Sequence, residues 1–254
     1  MSNKYDTSFE DIGEDFDNLF DDVDDLSNLE AKSLDGIFKT RKVKNVLDCA
    51  CGTGIQTIGL ARLGYKLFAS DISPKMVSLT RKKALKENLD VETKISDFTN
   101  LKEWKDIKFD AVINCGNSIP LLPDMESVVE SLKSMISLLK KNGTIMISIH
   151  NYSKLKKGGN AFLLRGNRSL NENQEIVFDT RYFGKDRVII TNFFIKKYGN
   201  RKSLKTYIKS YMYLKPEILI KKITQLGIKN IKVLDLVSLK KFNDQEWYLL
   251  VGEK

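Results

Sequence analysis

Short apolar runs alternate with amphipathic stretches from residue 43 onward, and this alternation limits the possible folds more than any other feature of the chain. The apolar runs are rich in β-branched residues and bounded by turn formers, which is typical of strands. They lie at residues 46–50, 66–71, 91–95, 109–114 and 143–150. The stretches with helical periodicity lie at residues 55–64, 74–88 and 124–140. Strands that alternate with helices predict an α/β fold with a doubly wound, mainly parallel sheet.

The pattern changes after residue 150, where three longer alternating segments follow one another. They lie at about residues 174–183, 186–198 and 203–214, with glycine-containing turns between them. Such a series is typical of an antiparallel meander. A helix that begins at Pro216 and strands near 230–236 and 246–252 then restore the α/β pattern. We therefore predict one domain over residues 43–254 that contains an antiparallel β insertion at about 158–214.

The net charge of +9 and the pI near 9.2 are unevenly distributed along the chain. Residues 1–30 contain eleven acids and one lysine, a net charge of −10, so the remaining residues carry +19. Apolar residues of this acidic segment recur at helical spacing, from Phe9 and Ile12 to Phe16, Leu19 and Val23. We predict that residues 1–42 form an acidic, helical N-terminal lid that packs on a basic body. The basic surplus then requires no nucleic-acid partner, which we consider unlikely.

Several classes of protein are disfavoured by what the sequence lacks. It contains no apolar run of the roughly 18 to 20 residues that a membrane-spanning helix needs, and its N-terminus has no signal-peptide core. Three cysteines without a disulfide pattern fit a reducing compartment, so a cytoplasmic location with no membrane partner is expected. Cys49, Cys51, Cys115 and His150 would gather at neighbouring strand ends, but no C-x-x-C pair is present, so we expect no metal site.

The segment Asp48-Cys-Ala-Cys-Gly-Thr-Gly stands where the first strand turns into a helix. Glycines at such a turn let a ligand approach the backbone, and the helix N-terminus offers unpaired N–H groups. Gly52 and Gly54 lack the third glycine of the G-x-G-x-x-G spacing, since the next one is Gly59. The carboxylate of Asp48 would also repel a pyrophosphate. A dinucleotide is therefore disfavoured.

Two further acids follow the second and third strands. Asp71 is placed to accept hydrogen bonds from a ribose diol, and Asp97 is placed to receive an exocyclic amine, with Phe98 beside it for an adenine face. Together with Asp48, these acids suit a nucleoside whose far end is cationic. S-adenosylmethionine fits this description, since its sulfonium and ammonium groups are both positive.

The chain resembles the class I S-adenosylmethionine-dependent methyltransferases and, among them, the glycine/sarcosine N-methyltransferases. Four segments carry the resemblance: Val46-Leu-Asp-Cys-Ala-Cys-Gly-Thr-Gly, Ser70-Asp-Ile-Ser-Pro-Lys-Met, Asn114-Cys-Gly-Asn-Ser-Ile-Pro-Leu-Leu-Pro-Asp and His150-Asn-Tyr. The resemblance covers residues 43 to 254. It implies a Rossmann-like seven-stranded sheet with the last strand antiparallel. It also implies methyl transfer by in-line displacement from S-adenosylmethionine, leaving S-adenosylhomocysteine, to a small-molecule amine.

The resemblance also implies roles for residues at matching positions. The cofactor-binding residues would be Asp48, Ala50, Gly52, Gly54, Asp71, Ile72, Met76, Asp97, Phe98, Asn114 and Cys115. The catalytic residues would be Tyr5, Asn117, His150 and Tyr152. Asn117, Asn151 and Tyr152 would bind substrate, and Arg165 and Tyr211 of the predicted insertion are further substrate-binding candidates that no family motif covers. His150 is the single histidine and thus the candidate to accept a proton near neutral pH; whether it acts as a base stays open.

The chain departs from the glycine N-methyltransferase pattern at positions that decide the acceptor. In that family an arginine meets the methionine carboxylate, whereas this chain offers only Lys32, which is a poor match. In that family an arginine also often precedes Asn-Tyr, whereas this chain has His150 there. A carboxylate on the acceptor would need a cation, for which Arg165, Arg168 and Arg181 are unaligned candidates.

Several alternatives for the methyl acceptor and for the function therefore stay open. The acceptor could be an amino sugar, a hydroxyl-bearing metabolite or RNA, although the segment that begins at Asn114 lacks the Pro-Pro element of base methyltransferases. A cofactor-binding protein without catalysis is a further alternative. The sequence does not decide between N- and O-methylation, nor between a monomer and a homo-oligomer.

Overall fold

The structure is a computed structural model that describes residues 9–158, 161–170 and 173–254. Its strands are β1 (Asn45–Asp48), β2 (Lys66–Asp71), β3 (Val91–Ile95), β4 (Phe109–Asn114), β5 (Leu139–His150), β6 (Phe162–Leu170), β7 (Asn173–Phe183), β8 (Arg187–Tyr198), β9 (Arg201–Met212), β10 (Lys229–Asp235) and β11 (Trp247–Glu253). Its α-helices are α1 (Phe9–Ile12), α2 (Val23–Thr40), α3 (Ile55–Arg62), α4 (Pro74–Lys86), α5 (Met125–Ser137), α6 (Tyr152–Gly158) and α7 (Pro216–Gln225). Tyr5 lies outside the described residues.

The main sheet has seven strands in the order β10-β11-β5-β4-β1-β2-β3. Strands β1 to β5 are parallel to their neighbours among themselves, whereas β11 runs antiparallel to both β5 and β10. This arrangement confirms the predicted fold class, including the antiparallel last strand. Since the chain order reverses between β1 and β4, a ligand-binding cleft is expected there at the carboxyl ends of the strands. Asp48, Asp71 and Asn114, which end β1, β2 and β4, therefore lie along one edge.

Side chains from both faces of the sheet are buried, as expected for parallel strands covered by helices. In β1, Val46 and Leu47 are both fully buried but belong to different apolar clusters, one on each face of the sheet. One cluster centres on Trp104 and Phe109. The other includes Phe38 of α2. This double burial fixes the central strands and hence the edge on which the candidate site lies.

The connection before β5 differs from the prediction. The helix expected to reach residue 140 ends at Ser137, and β5 begins at Leu139 instead of Gly143. Leu139 is buried and pairs with Phe109 of β4. Pairing with a neighbouring strand therefore takes these residues out of the helix that their local pattern favours.

The insertion is a separate antiparallel sheet of four strands in the order β6-β7-β8-β9. Three of these four strands were predicted. The first of the four, β6, was missed, as was the short helix α6. The run Arg165-Gly-Asn-Arg of β6 has the composition of a turn. Yet β6 pairs with β7 from Phe162 to Leu170, with one irregularity between Leu164 and Gly166. Strand pairing along an edge thus overrides a weak local preference.

The acidic N-terminal segment lies across both sheets. It is not one helix: α1 is followed by a 3-10 helix, Gly13–Leu19, and Gly13 has a φ of +43°. The carboxylate of Asp15 is buried and accepts hydrogen bonds from Lys196 (2.7 Å), Lys205 (2.9 Å) and Tyr207 (3.0 Å) of the inserted sheet. The segment thus packs on the basic body through ion pairs. Its function as a lid stays a prediction.

Candidate functional site

The glycine turn after β1 adopts a conformation that glycine accommodates readily. Gly52 has a φ of +52° and Gly54 a φ of +93°. A Cβ on Gly54 would lie 3.0 Å from the Thr80 hydroxyl, so this glycine permits close packing of α3 on α4. A Cβ on Gly52 would meet nothing within 4 Å. The open side of the turn is therefore at Gly52, where a ligand could approach the backbone.

Two carboxyl groups, one fully buried and one partly buried, hold this turn. Asp48 is fully buried and accepts a hydrogen bond from the Thr57 hydroxyl at 2.7 Å, and its burial raises its pKa to about 7. Asp71 accepts hydrogen bonds from the backbone N–H groups of Gly52 (2.9 Å) and Ser73 (3.0 Å), and burial raises its pKa as well. Among the described residues, neither carboxyl forms a salt bridge. A cationic ligand beside them would favour their ionised forms.

A third acid at this end of the cleft, Glu30 of α2, was not predicted as a site residue. Its carboxyl accepts a hydrogen bond from the side-chain amide of the buried Gln56, and burial raises its pKa. Its charge contributes to the raised pKa of Asp48. Helical spacing could have indicated that Glu30 faces the protein interior, because it lies three residues after the buried Ser27 and four before the buried Leu34.

Buried polar atoms without partners lie at the same edge. Asn114 is fully buried; its amide N–H group donates to the Cys49 sulfur at 3.6 Å, but its Oδ1 has no partner within the described part of the chain. The buried Ser70 hydroxyl, which precedes Asp71, is likewise unpaired there. Buried polar groups normally find a partner, so these atoms indicate a ligand with hydrogen-bonding groups. The acids, the open glycine turn and the unpaired amide oxygen together fit S-adenosylmethionine.

The other residues predicted to bind the cofactor have varied surroundings. Ile72 is 61% exposed, beside Asp71. Met76 is fully buried and packs in an apolar cluster with Ile12 of the N-terminal segment. Asp97 accepts a hydrogen bond from the Thr99 N–H group at 2.8 Å, and Phe98 packs against the main core. The roles of these residues toward the cofactor stay predictions, as do those of Ala50 and of the buried Cys115.

The residues predicted for catalysis meet on the other side of the cleft. Asn117, in the left-handed region with a φ of +74°, donates from its side-chain amide to the Tyr152 hydroxyl. Its Oδ1 accepts a hydrogen bond from the His150 backbone N–H group at 3.1 Å. Both ends of the amide are thus engaged, so Asn117 positions the segment that contains His150 and Tyr152.

Four aromatic rings form a stack that joins the main sheet to the insertion. The centroid distances are 4.5 Å from Trp247 to His150, 5.2 Å from His150 to Tyr152, and 5.3 Å from Tyr152 to Tyr211. Tyr152 and Tyr211, both predicted to bind substrate, are therefore in contact. The Nδ1 atom of His150 is buried and has no hydrogen-bond partner among the described residues.

A buried charge cluster from the insertion lies close to this stack. Asp179, with a fully buried side chain, receives two hydrogen bonds from Arg165, at 3.0 and 3.2 Å, and one from Arg181 at 3.2 Å. The Arg181 side chain is only 4% exposed. Two guanidinium groups therefore share one carboxylate, which leaves a surplus positive charge. Arg168, the third arginine considered as a partner for an acceptor carboxylate, instead donates to backbone carbonyls of the N-terminal segment.

Asn151 was predicted to bind substrate, but the structure engages its side chain elsewhere. Its amide N–H groups donate to Asp244 (2.9 Å) and to the Gln245 carbonyl (3.1 Å), and its Oδ1 accepts a hydrogen bond from the Lys154 N–H group (3.3 Å). Asn151 thus fastens the end of β5 to the loop before β11.

His150 is expected to remain neutral far below pH 6.5. Burial, followed by the charges of Arg181 and Arg165, lowers its pKa from 6.5 to about 3. A pKa near 3 makes the imidazole a weak base, so its expected role changes from taking a proton near neutral pH to accepting a hydrogen bond. Between pH 6.5 and 3 the unfolded chain binds a proton that the folded chain does not, so stability should fall as pH decreases through this window.

The measurement is simple because the chain has one histidine. The imidazole resonances of the folded protein, followed by NMR against pH, should show no titration above pH 5. A His150→Asn variant should lose the part of the stability decrease that lies between pH 6.5 and 5. A folded-state midpoint near 6.5 would contradict the burial of this ring beside two arginines.

The three cysteines are expected to be unreactive. All three are free and buried, and burial raises the pKa of each thiol. No three His, Cys, Asp or Glu side chains of the described residues come together as a metal site. Over the same residues, no helix combines the length and apolarity needed to cross a bilayer.

Comparison with known proteins agrees with this geometry. Residues 46–143 match the methyltransferase domain family. A glycine/sarcosine N-methyltransferase from Parasynechococcus marenigrum (strain WH8102) is 31% identical over 125 residues, which are 49% of this chain and 44% of that protein. A ubiquinone biosynthesis O-methyltransferase from Xanthomonas campestris pv. campestris (strain B100) is 31% identical over 106 residues, 42% of this chain and 43% of that protein. The matches span less than half the length of either curated relative.

Solved structures share the fold over most of the chain. An S-adenosylmethionine-dependent methyltransferase from Clostridium acetobutylicum ATCC 824 superposes with a TM-score of 0.77 at 22% identity, covering 89% of this chain and 90% of that one. An amino pentose methyltransferase from Micromonospora echinaspora, solved with S-adenosylmethionine bound, superposes with a TM-score of 0.73 at 12% identity, covering 100% and 99%. By its match over residues 46–143 the chain contains a methyltransferase domain, and its fold is that of S-adenosylmethionine-dependent methyltransferases.

Proposed function

We propose that this protein transfers the methyl group of S-adenosylmethionine to a small-molecule amine that also carries a carboxylate, as glycine and sarcosine do. The observation that carries the proposal is the buried Arg165–Asp179–Arg181 cluster beside His150 and Tyr152. Two guanidinium groups carry two positive charges, and the one buried carboxylate balances only one of them. An acceptor carboxylate would supply the second negative charge, since charge-assisted pairs with arginine are among the strongest hydrogen bonds in proteins.

The cofactor would be held at the opposite side of the cleft. Asp71 is placed to bind the ribose, while Asp48, Glu30 and the free Oδ1 of Asn114 suit the positively charged methionine end. When bound, S-adenosylmethionine supplies an electrophilic methyl group on a sulfonium centre. The protein's contribution is to hold the acceptor nitrogen in line with that bond and to exclude water.

The surroundings of His150 favour a neutral, reactive amine. The positive charges of Arg165 and Arg181 lower the pKa of His150, and they would lower the pKa of an acceptor amine bound beside it in the same way. The Nδ1 atom of His150 has no partner within the described part of the chain, so it can accept a hydrogen bond from an N–H group of the acceptor. The Tyr152 hydroxyl, which accepts from Asn117, keeps its own proton to donate.

An open groove reaches one member of this cluster, Arg165. It has a volume of about 440 Å³ and runs between the end of the N-terminal segment and β6. Arg165 lines one side, whereas Asp21, Asp22 and Asp25 line the other. A groove with charges of both signs suits a zwitterionic acceptor, because the amine and the carboxylate each find an opposite charge on entry.

The test is a panel of acceptors assayed for S-adenosylhomocysteine formation with the full chain. We expect turnover with glycine, sarcosine or another amino acid, and loss of turnover when the acceptor carboxylate is replaced by an amide. Turnover only with amino sugars or with hydroxyl acceptors would overturn the proposed acceptor class. Tight cofactor binding without turnover on any acceptor would instead support a cofactor-binding protein, and salt-sensitive methylation of RNA would support the nucleic-acid alternative.

A further inference from the structure

The inserted sheet has two faces of different character. Residues of the inner face, such as Asp179, Arg181 and Phe194, are buried against the rest of the molecule. The outer face consists of the intervening positions. At alternate residues from 176 to 182 and from 189 to 195 these are isoleucine, phenylalanine, threonine and tyrosine, without a single charge. The charges of this face are confined to the strand ends, at Arg187, Lys197 and Lys202. An uncharged centre is unusual for a sheet exposed to water on one side, where polar residues normally alternate with apolar ones.

The apolar side chains of this outer face are continuous across the strands. Phe162 of β6, Phe178 of β7 and Phe193 of β8 form a row with centroid distances of 5.2 Å and 4.7 Å. Phe178 and Phe193 are paired in register and lie almost parallel, at 9°. At the two edges of the sheet, Phe162 is 57% exposed and Leu204 of β9 is 62% exposed. We call this surface the aromatic face.

The aromatic face is large enough to be an interface. Four strands about 4.8 Å apart and seven residues rising about 3.4 Å each span roughly 19 by 24 Å. Two such faces brought together would bury on the order of 1,000 Å² in total, near the lower bound for a specific protein interface. A face of roughly 450 Å² is as large as the largest apolar patch of a typical soluble monomer, and such patches are often functional.

We propose that the aromatic face pairs with the same face of a second copy of the chain. The charge distribution is compatible with this occupant: the protein carries +9, but the central positions of the face bring no like charges together, and its cations, Arg187, Lys197 and Lys202, lie at the strand ends. The face is also compatible with a two-fold interface, because sheets can pack face to face through rows of phenylalanine and isoleucine.

Pairing through the aromatic face has a consequence for the acceptor side of the cleft. Strand β7 carries Phe178 and Thr180 on the outer face and Asp179 and Arg181 on the inner one. Burial of the outer residues in a dimer would restrain the strand that holds the charge cluster. The dimer does not depend on the proposed acceptor, since it is inferred from the opposite face of the sheet.

Sedimentation velocity of the full chain tests the proposal. We expect a species of about twice 29.1 kDa for the unaltered protein. Leu204→Glu should weaken dimerisation at least a hundredfold, because it places a buried charge against its own symmetry mate or against apolar side chains. Leu204 is well exposed in one copy, so the monomer should fold normally. Phe162→Glu, at the opposite edge of the sheet, should act in the same way.

Leu85→Glu is the matched control, since Leu85 of α4 is 69% exposed but lies outside the inserted sheet. This variant should remain dimeric. A monomeric unaltered protein, or a Leu204→Glu and a Phe162→Glu variant that both stay dimeric, would overturn the proposal. Co-flotation of a monomeric protein with phosphatidylcholine vesicles would likewise overturn it and indicate a lipid surface. Unchanged S-adenosylhomocysteine binding by the monomeric variants would separate this result from the cofactor site.

Discussion

Gly52→Ala is expected to weaken S-adenosylhomocysteine binding at least tenfold while leaving the protein folded. The added Cβ has room in the protein itself, because nothing lies within 4 Å of its position. That room is on the open side of the turn held by Asp71, where the cofactor is expected to approach the backbone. The methyl group would therefore occupy space that the ligand needs, and isothermal titration calorimetry measures the loss directly.

Gly64→Ala provides the control for backbone strain. Gly64 also has a positive φ, +88° against +52° for Gly52, and its Cβ would likewise meet nothing within 4 Å. Both substitutions place a Cβ in the left-handed region, at a cost of about 1 to 2 kcal/mol. Gly64 lies between α3 and the start of β2, at the amino ends of the strands and away from the carboxyl ends that hold the candidate site, so its variant should lose similar stability but bind the cofactor normally. Equal binding by both variants would refute the assignment of the glycine turn.

The parts of the structure that the sequence predicted are those set by local pattern. The alternation of strands and helices identified the fold, because each βα unit carries its own periodicity and turn residues. The turn at Gly52 and Gly54 was equally predictable, since their positive φ values favour residues without a side chain.

The elements that were missed depend on contacts between distant segments. Strand β6 exists because it pairs with β7, and β5 starts early because Leu139 pairs with Phe109. Likewise, Glu30 joins the cofactor side only through Gln56, which lies on a different helix. Arg165 and Arg181 bind Asp179, whereas Arg168 contacts the N-terminal segment. No local sequence pattern distinguishes the first two from the third. Side-chain partners of this kind are fixed by tertiary packing and not by spacing.

Arg181→Met is expected to raise the KM for a carboxylate-bearing acceptor about 10- to 100-fold, with little change in S-adenosylhomocysteine binding. A hydrogen bond to a charged group contributes about 1.5 to 3 kcal/mol, which corresponds to this range. The variant should fold, because Arg165 still pairs with Asp179 through two hydrogen bonds and no buried carboxylate is left alone. Steady-state kinetics with the acceptor identified in the panel provides the measurement.

A second readout distinguishes a direct charge effect from a general loss of structure. Arg181 is, after burial, the largest cause of the lowered pKa of His150, so its removal should raise that pKa, as followed by NMR. Arg201→Met, at the exposed start of β9, should change neither KM nor this pKa. If Arg181→Met and Arg165→Met both leave the acceptor KM unchanged while the His150 pKa rises, then the arginines act on the imidazole alone. The acceptor would in that case have no carboxylate at this position, and the surplus positive charge would serve to keep His150 and a bound amine neutral.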